Sequence, residues 1–199
     1  MNPFKHCLLT TLLCTSALLT STVQADTAVF AGGCFWCMEK DFEALQGVSE
    51  AVSGFTGGTA ENPTYGGDHT GHYEAVEITY DPEIVSYQDL LDHFWVNIDP
   101  FDGRGQFCDK GPSYLSAIFV ADDEERALAE ASKQQVVDRF AQQTVVTPIL
   151  PAATFHPIAG DEIHHQDFYK KSPLRYKAYR WNCGRDKRLR EVWGEDSTT

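Results

Sequence analysis

Beyond its first 25 residues the sequence has no apolar run approaching the roughly 20 residues that span a bilayer, so no spanning helix is expected in the body of the chain. Basic residues are scarce too: 16 Lys and Arg stand against 29 Asp and Glu, a formal charge of −13. Such an acidic surface repels phosphate backbones and anionic lipid, which argues against a nucleic-acid or membrane partner. No phosphate-binding glycine loop or dinucleotide fingerprint is present, and no Gly-x-Ser-x-Gly elbow supports serine hydrolase chemistry. Internal repeats, low-complexity tracts and linkers are also missing, which leaves one domain as the expectation.

What the chain does have begins with a leader. Residues 1–25 carry one basic side chain (Lys5), an apolar centre from Leu8 to Leu19, and small residues before Asp26. That is the anatomy of a secretory signal peptide. Residues 26–199 are then the working domain, exported and expected in the periplasm. Four cysteines remain in it: Cys34, Cys37, Cys108 and Cys183. Two structural disulfides are one reading for an exported protein. The Cys34-x-x-Cys37 spacing suits thiol chemistry instead, and thiols that cycle outside the cytoplasm need electrons from elsewhere.

Thr27 to Ala31 reads as a short strand that Gly32-Gly33 breaks. Phe35, Met38, Phe42 and Leu45 then fall on one stripe of a helix opening at Cys34. Strands follow at Val48–Phe55 and Tyr73–Tyr80, separated by a glycine-rich stretch without periodicity, Thr56 to Gly71, of the kind that is usually functional. Ser86-x-x-Asp89 resembles a capping box for a helix from Tyr87 to about Asn97. A strand is expected at Tyr114–Val120, a helix from the acidic run at Asp122 to about Phe140, and a last strand at Val145–Leu150. From Pro151 onward the chain is aromatic, basic and poorly periodic, which reads as an irregular wrapping tail. The order β-α-β-β-α-β predicts an α+β fold: a ferredoxin-like two-layer sandwich with a mainly antiparallel sheet, an extra helix and strand, and that tail.

Cys34 follows two glycines at the first turn of a helix, where backbone N–H groups and the helix dipole favour a thiolate, so it is a candidate nucleophile. A small buried hydrophobe is the plain alternative. Trp36 falls on the polar side of its helix beside Lys40 and Glu43, either as a wall for a ligand or as packing under a loop or the tail. Glu74 shares a strand face with Val76, Ile78 and Tyr80. A carboxyl among apolar groups prefers its neutral form, so Glu74 could donate a proton near neutral pH; a solvated carboxylate at a strand start is the alternative. Asp68, His69, His72 and Glu74, or His164 with His165, lack the spacing of a known metal site, and no metal or other bound cofactor is expected.

Read together, Gly33-Cys34-Phe35-Trp36 with Met38-Glu39, Gly54-Phe55-Thr56-Gly57-Gly58, Asn62-Pro63-Thr64-Tyr65, Gly71-His72-Tyr73-Glu74 and Tyr80-Asp81-Pro82 resemble the motif series of A-type peptide-methionine (S)-sulfoxide reductases. Gln106-Phe107-Cys108-Asp109, Tyr114-Leu115-Ser116, His165-Gln166 and Asn182-Cys183-Gly184-Arg185 extend the resemblance over essentially the whole mature chain. It implies that Cys34 attacks the sulfoxide, that Phe35 and Trp36 cage its methyl group, and that Glu74 protonates its oxygen. Tyr65 and Tyr114 would hydrogen-bond that oxygen, and Asp109 would belong to the same pocket. Methionine leaves reduced, Cys34 becomes a sulfenic acid, and a second thiol condenses with it to a disulfide that an external, thioredoxin-like dithiol reopens. The implied role is repair of oxidised proteins under oxidative stress by a monomer acting on methionine sulfoxide.

The sequence departs from the family pattern at the second thiol. Many members have glycine where Cys37 stands and keep resolving cysteines in the tail. Cys37 and Cys183 are therefore both candidates to resolve the sulfenic acid, with Cys108, next to Asp109, as a third, and a structural Cys108–Cys183 bridge is a further option. Two rivals remain: a thioredoxin-like disulfide oxidoreductase, which would have no need of Glu74, and a secreted binding domain with two inert disulfides. The paired zinc-binding Cys-x-x-Cys motifs of B-type sulfoxide reductases are absent.

Overall fold

The computed structural model describes residues 25–194. The leader expected at residues 1–25 lies, apart from Ala25, outside the described residues. The first strand, β1 (Asp26–Gly32), gives way to α1 (Phe35–Glu43), the hairpin strands β2 (Val48–Thr56) and β3 (Tyr73–Tyr80), and α2 (Tyr87–Val96). A two-residue hairpin, β4 (Gly105–Gln106) and β5 (Asp109–Lys110), precedes β6 (Ser116–Val120) and α3 (Asp123–Arg139). Both forecast helix starts are found, the first through the capping box expected for it and the second through an N-cap bond in addition to the acidic charge expected there. Ser86 and Asp89 exchange the two bonds of a capping box, and the Asp122 side chain accepts from the N–H groups of Glu124 and Glu125.

Two short strands complete the main sheet, β7 (Ile149–Pro151) parallel to β6, and β8 (His156–Pro157) antiparallel to β2. The strand order is β7-β6-β1-β3-β2-β8. This is a mixed α+β fold with a six-stranded, mostly antiparallel sheet. Alternation along the strands decides what each face meets. Phe30, Val76, Ile78 and Ile118 share a buried core with Met38 and Phe42 of α1, Leu90, Leu91 and Phe94 of α2, and Ala129 and Val136 of α3. The opposite face carries smaller residues, Ala31, Ala75 and Ala117 with Phe119, and Phe155 from the tail packs against it.

The irregular tail expected after Pro151 is not what forms. It folds into a 3₁₀ turn (Gly160–His165) and three helices, α4 (Phe168–Lys171), α5 (Pro173–Cys183) and α6 (Arg185–Trp193). The apolar signal was thin because α5 buries only Tyr176, and α6 only Arg185, Leu189 and Trp193. Punctuation marks these helices better than periodicity does. Pro173 stands in the first turn of α5, and Gly184, at φ +70°, ends it in the left-handed conformation. Two strand forecasts also shrink. Pro112–Tyr114 is a 3₁₀ turn, so β6 begins at Ser116, and the last strand covers Ile149–Pro151 rather than Val145–Leu150.

Candidate active site

The turn between β1 and α1 is built on two glycines that nothing larger could replace. A Cβ on Gly32 would lie 2.4 Å from the Met38 sulfur, and one on Gly33, where φ is +82°, would lie 2.5 Å from Gln106 Cβ. The Gln106 amide is itself fixed, accepting from Asp99 N and donating to Asp99 O at 2.8 Å each. Cys34 is thereby held as the N-cap of α1, with its carbonyl accepting from Cys37 N at 3.1 Å. It is free but only 6% exposed.

Glu74 comes to this turn from β3. Its carboxyl is 2% exposed, and Oε2 accepts the Phe35 N–H at 3.0 Å. Burial pushes Glu74 up to about 8, opposed by the Phe35 bond and the Tyr114 hydroxyl and reinforced by Asp109 and Cys37. The neutral acid expected from the strand pattern is therefore available near neutral pH.

Cys34 behaves differently from the helix-dipole expectation. Burial raises its thiol well above the usual range, and the hydrogen bond to Cys37 and the negative charge of Cys37 and Glu74 add to that, while the Tyr179 hydroxyl opposes them. Cys37 moves the other way, down to about 7, because the Cys34 hydrogen bond and the positive charge of Arg185 and Arg180 outweigh its burial. The pair thus holds its first negative charge on the inner sulfur. Those two arginines come from the helical tail. Arg180 Nη1 bonds both Asp41 oxygens at 2.8 and 2.9 Å, and Arg185, fully buried, donates to Asn97 O at 2.7 Å and to Gly32 O at 3.3 Å.

Aromatic rings enclose the mouth. Phe35 is buried beneath Tyr65, with centroids 5.8 Å apart. Trp36 stacks on Phe168 at 4.0 Å and meets the edge of Tyr179 at 5.6 Å, so the tail packs its flank while its other contacts face Tyr65 and His165. Trp36 Nε1–H donates to His165 Nδ1 at 3.2 Å, and burial keeps His165 below the usual histidine range, both of which favour a neutral ring. The loop that carries Tyr65 is held down by Glu162, whose carboxylate accepts the N–H groups of Tyr65 and Gly66 at 2.8 Å each. Desolvation pushes the Tyr65 hydroxyl up to about 12 and Tyr114 higher still, so both remain hydrogen-bond donors at any physiological pH.

Cys34, Phe35, Trp36, Tyr65, Glu74, Asp109 and Tyr114 therefore gather around one turn, and Cys37 joins them. Cys183 does not reach it as a free thiol, because Cys183 is bonded to Cys108. The bridge touches Asp109, whose Oδ2 lies 3.8 Å from the Cys183 sulfur. Tyr179, Glu162 and His165 had no role assigned from the sequence. Tyr179 donates its hydroxyl proton to Asp109 and also contacts the Cys34 sulfur. It escaped notice because it sits in the stretch read as irregular. Among the described residues two groupings bring metal-capable side chains together, and both are engaged otherwise. One is the Cys108–Asp109–Cys183 group, which holds the bridge, and in the other Glu39, Glu43 and Asp167 bind Ser53, Tyr169 and Lys170.

Residues 26–197 match the family model described as peptide methionine sulfoxide reductase. Peptide methionine sulfoxide reductase MsrA 2 of Caulobacter vibrioides is 49% identical over 174 residues, covering 86% of this chain and 87% of the relative. Among solved structures, methionine sulfoxide reductase A of Corynebacterium diphtheriae is similar at a TM-score of 0.65 with 32% identity, over 75% of this chain and 76% of that one. Mxr1 of Saccharomyces cerevisiae in complex with Trx2 shares the fold at a TM-score of 0.51, with 17% identity over 70% of this chain and 86% of that one. The chain belongs to the peptide methionine sulfoxide reductase family and is an oxidoreductase of its MsrA branch.

Proposed function

We propose that the chain reduces methionine S-sulfoxide, free or within oxidised proteins, with Cys34 as nucleophile and Glu74 as general acid. The observation that carries this is the Phe35 N–H bond to Glu74, which places a neutral carboxyl beside the turn that presents Cys34. The sulfoxide methyl rests between Phe35 and Trp36, its oxygen receives hydrogen bonds from Tyr65 and Tyr114, and Asp109 shapes the same pocket through Tyr179. As the Cys34 sulfur attacks the sulfoxide sulfur, its proton passes to the Cys37 thiolate and Glu74 protonates the oxygen. The oxygen ends on Cys34 as a sulfenic acid and methionine leaves.

Cys37 then attacks the sulfenic sulfur, water departs, and a Cys34–Cys37 disulfide forms. Its favour over Cys183 comes from being free, buried beside Cys34 and lowered to about 7. An external dithiol returns the pair to thiols. A thioredoxin-family protein fits, since the related Mxr1 has been solved with Trx2, and no bound prosthetic group is needed. Residues 1–25 serve as the leader of an exported, periplasmic monomer that repairs oxidised proteins. The order β6-β1-β3-β2, with α1 and α2 crossing over, supports reading the core as a ferredoxin-like plait.

A single-turnover assay on both sulfoxide epimers tests the reading. One equivalent of methionine from the S epimer and none from the R epimer is expected, and the reverse preference would overturn it.

A further inference from the structure

The two most exposed large apolar side chains of the described residues lie outside the pocket, on α5: Leu174 at 82% and Trp181 at 79%. With Ala178, also exposed, they fall at i, i+4 and i+7 and so form one stripe along the helix. Scattered apolar residues need no explanation, but a tryptophan and a leucine lined up on one helix face do. Charge sets this face apart further. Residues 173–193 hold seven Lys or Arg against two acidic residues, whereas residues 25–172 hold eight against 25. Arg175, Lys177, Lys187 and Arg190 are exposed. Beside Trp181 a cleft of about 540 Å³ is lined by Arg180, Lys187 and Arg190 with Asp186 at its edge.

The stripe ends at sulfur. Cys183 closes α5 two residues after Trp181 and is bridged to Cys108, which faces solvent. Cys34 and Cys37 lie inside the domain. A protein-sized reductant therefore meets Cys108–Cys183 first. We infer that the outer face of α5 docks a dithiol protein whose reactive thiol has an apolar collar and an acidic rim, and delivers that thiol to the Cys108–Cys183 bridge. The positive collar on an otherwise acidic molecule selects the acidic partner and orients it, as charge complementarity does for on-rate and register. The partner's thiolate attacks Cys108 Sγ, the Cys108–Cys183 bond breaks, and the electron pair leaves on Cys183 as a thiolate that takes up a proton. The partner's second thiol then displaces Cys108 from the mixed disulfide. Cys108 leaves as a thiol and the partner as a disulfide. Cys183, as thiolate, then opens the Cys34–Cys37 disulfide, and Cys108 displaces that mixed disulfide to re-form the Cys108–Cys183 bridge. Cys34 and Cys37 leave as thiols, so two electrons and two protons have crossed to the catalytic pair.

This rests on the reductase reading proposed above, and the test separates the two. The mature chain is assayed with a purified bacterial thioredoxin and, in parallel, with dithiothreitol. In the double variants Leu174→Ala/Trp181→Ala and Lys177→Glu/Arg190→Glu, the KM for thioredoxin should rise at least tenfold, while dithiothreitol-driven turnover and the KM for a methionine-sulfoxide peptide stay unchanged. A thioredoxin lacking its second cysteine should be trapped on Cys108. The inference is overturned by an unchanged thioredoxin KM, by an equal loss with dithiothreitol, by a shift confined to the peptide KM, by trapping at Cys34 or Cys37, or by a parent dimer that the variants dissociate. A parent inactive even with dithiothreitol would instead sink the reductase reading.

Discussion

The Phe35 amide donates to the Glu74 carboxyl at 3.0 Å, so the helix turn that carries Cys34, the proposed nucleophile, also anchors Glu74, the proposed acid. The two groups cannot move apart without unmaking the first turn of α1. That coupling makes the protonation state of Glu74 the quantity to test first. With Glu74 held up at about 8 by burial, its acid form predominates below that pH and is lost above it. kcat/KM should therefore fall as pH rises through about 8. Glu74→Gln should lower kcat/KM by about 10² to 10⁴, the usual contribution of a positioned general acid, and remove that limb of the profile. A parent profile flat from pH 6 to 9 would contradict the assignment.

Cys37 takes the Cys34 proton in the proposed first step, and recycling depends on it altogether. Cys37→Ser should release one methionine per chain more slowly than the parent and then stall with Cys34 as a sulfenic acid, trapped by a dimedone adduct, and steady-state turnover should disappear. Because the Cys37 thiol is lowered to about 7, its alkylation rate in the Cys34→Ser protein reports whether the Cys34 hydrogen bond sustains that shift. The midpoint should move upward on removing its thiol partner.

Tyr179 links Asp109 to the Cys34 sulfur. Tyr179→Phe keeps the ring against Trp36 and removes one hydrogen bond, worth about 1.4 kcal/mol, or roughly tenfold in rate. The loss should appear in kcat, and the alkylation midpoint of Cys34 should rise, since the hydroxyl lowers that thiol. A purely structural tyrosine would leave the midpoint where it was.

Glu39 offers a stability measurement away from the chemistry. It is buried against Ser53 Oγ at 2.8 Å and the Asp167 N–H at 2.6 Å, yet burial outweighs both bonds and raises it from 4.5 to about 7. A carboxyl raised in the folded state contributes stability fully below its unfolded value and loses that contribution as pH rises through the folded one. Urea unfolding of the parent should weaken between about pH 4.5 and 7, with Glu74 extending the decline toward 8. Glu39→Gln should flatten the lower part of that slope.

The parts that were legible before any coordinates are those where local chemistry and burial agree. Gly32-Gly33 marked the break after β1, the stripe of Phe35, Met38 and Phe42 marked α1, and strand alternation placed Glu74 on the core face. Ser86 with Asp89 announced α2. The tail was misread because α5 and α6 owe their helicity to anchoring at a few points, Tyr176, Leu189 and Trp193, and to ion pairs with residues far away in sequence, such as Arg180 with Asp41. No periodic window contains such information. For the same reason Tyr179 and Glu162, whose partners lie 70 and 97 residues distant, could not be seen. The thiol pair shows the limit of local rules: the helix start suggested an easily ionised Cys34, but depth in the protein reverses it and hands the charge to Cys37.

Arg185 reaches back 153 residues to the carbonyl of Gly32. The reactive turn is made near the beginning of the chain, yet its floor is supplied from the last twenty described residues. An unfinished chain carries the sulfurs but neither the cations beneath them nor the tyrosine above. The charge balance of the thiol pair is accordingly set only when both ends of the described chain have come together.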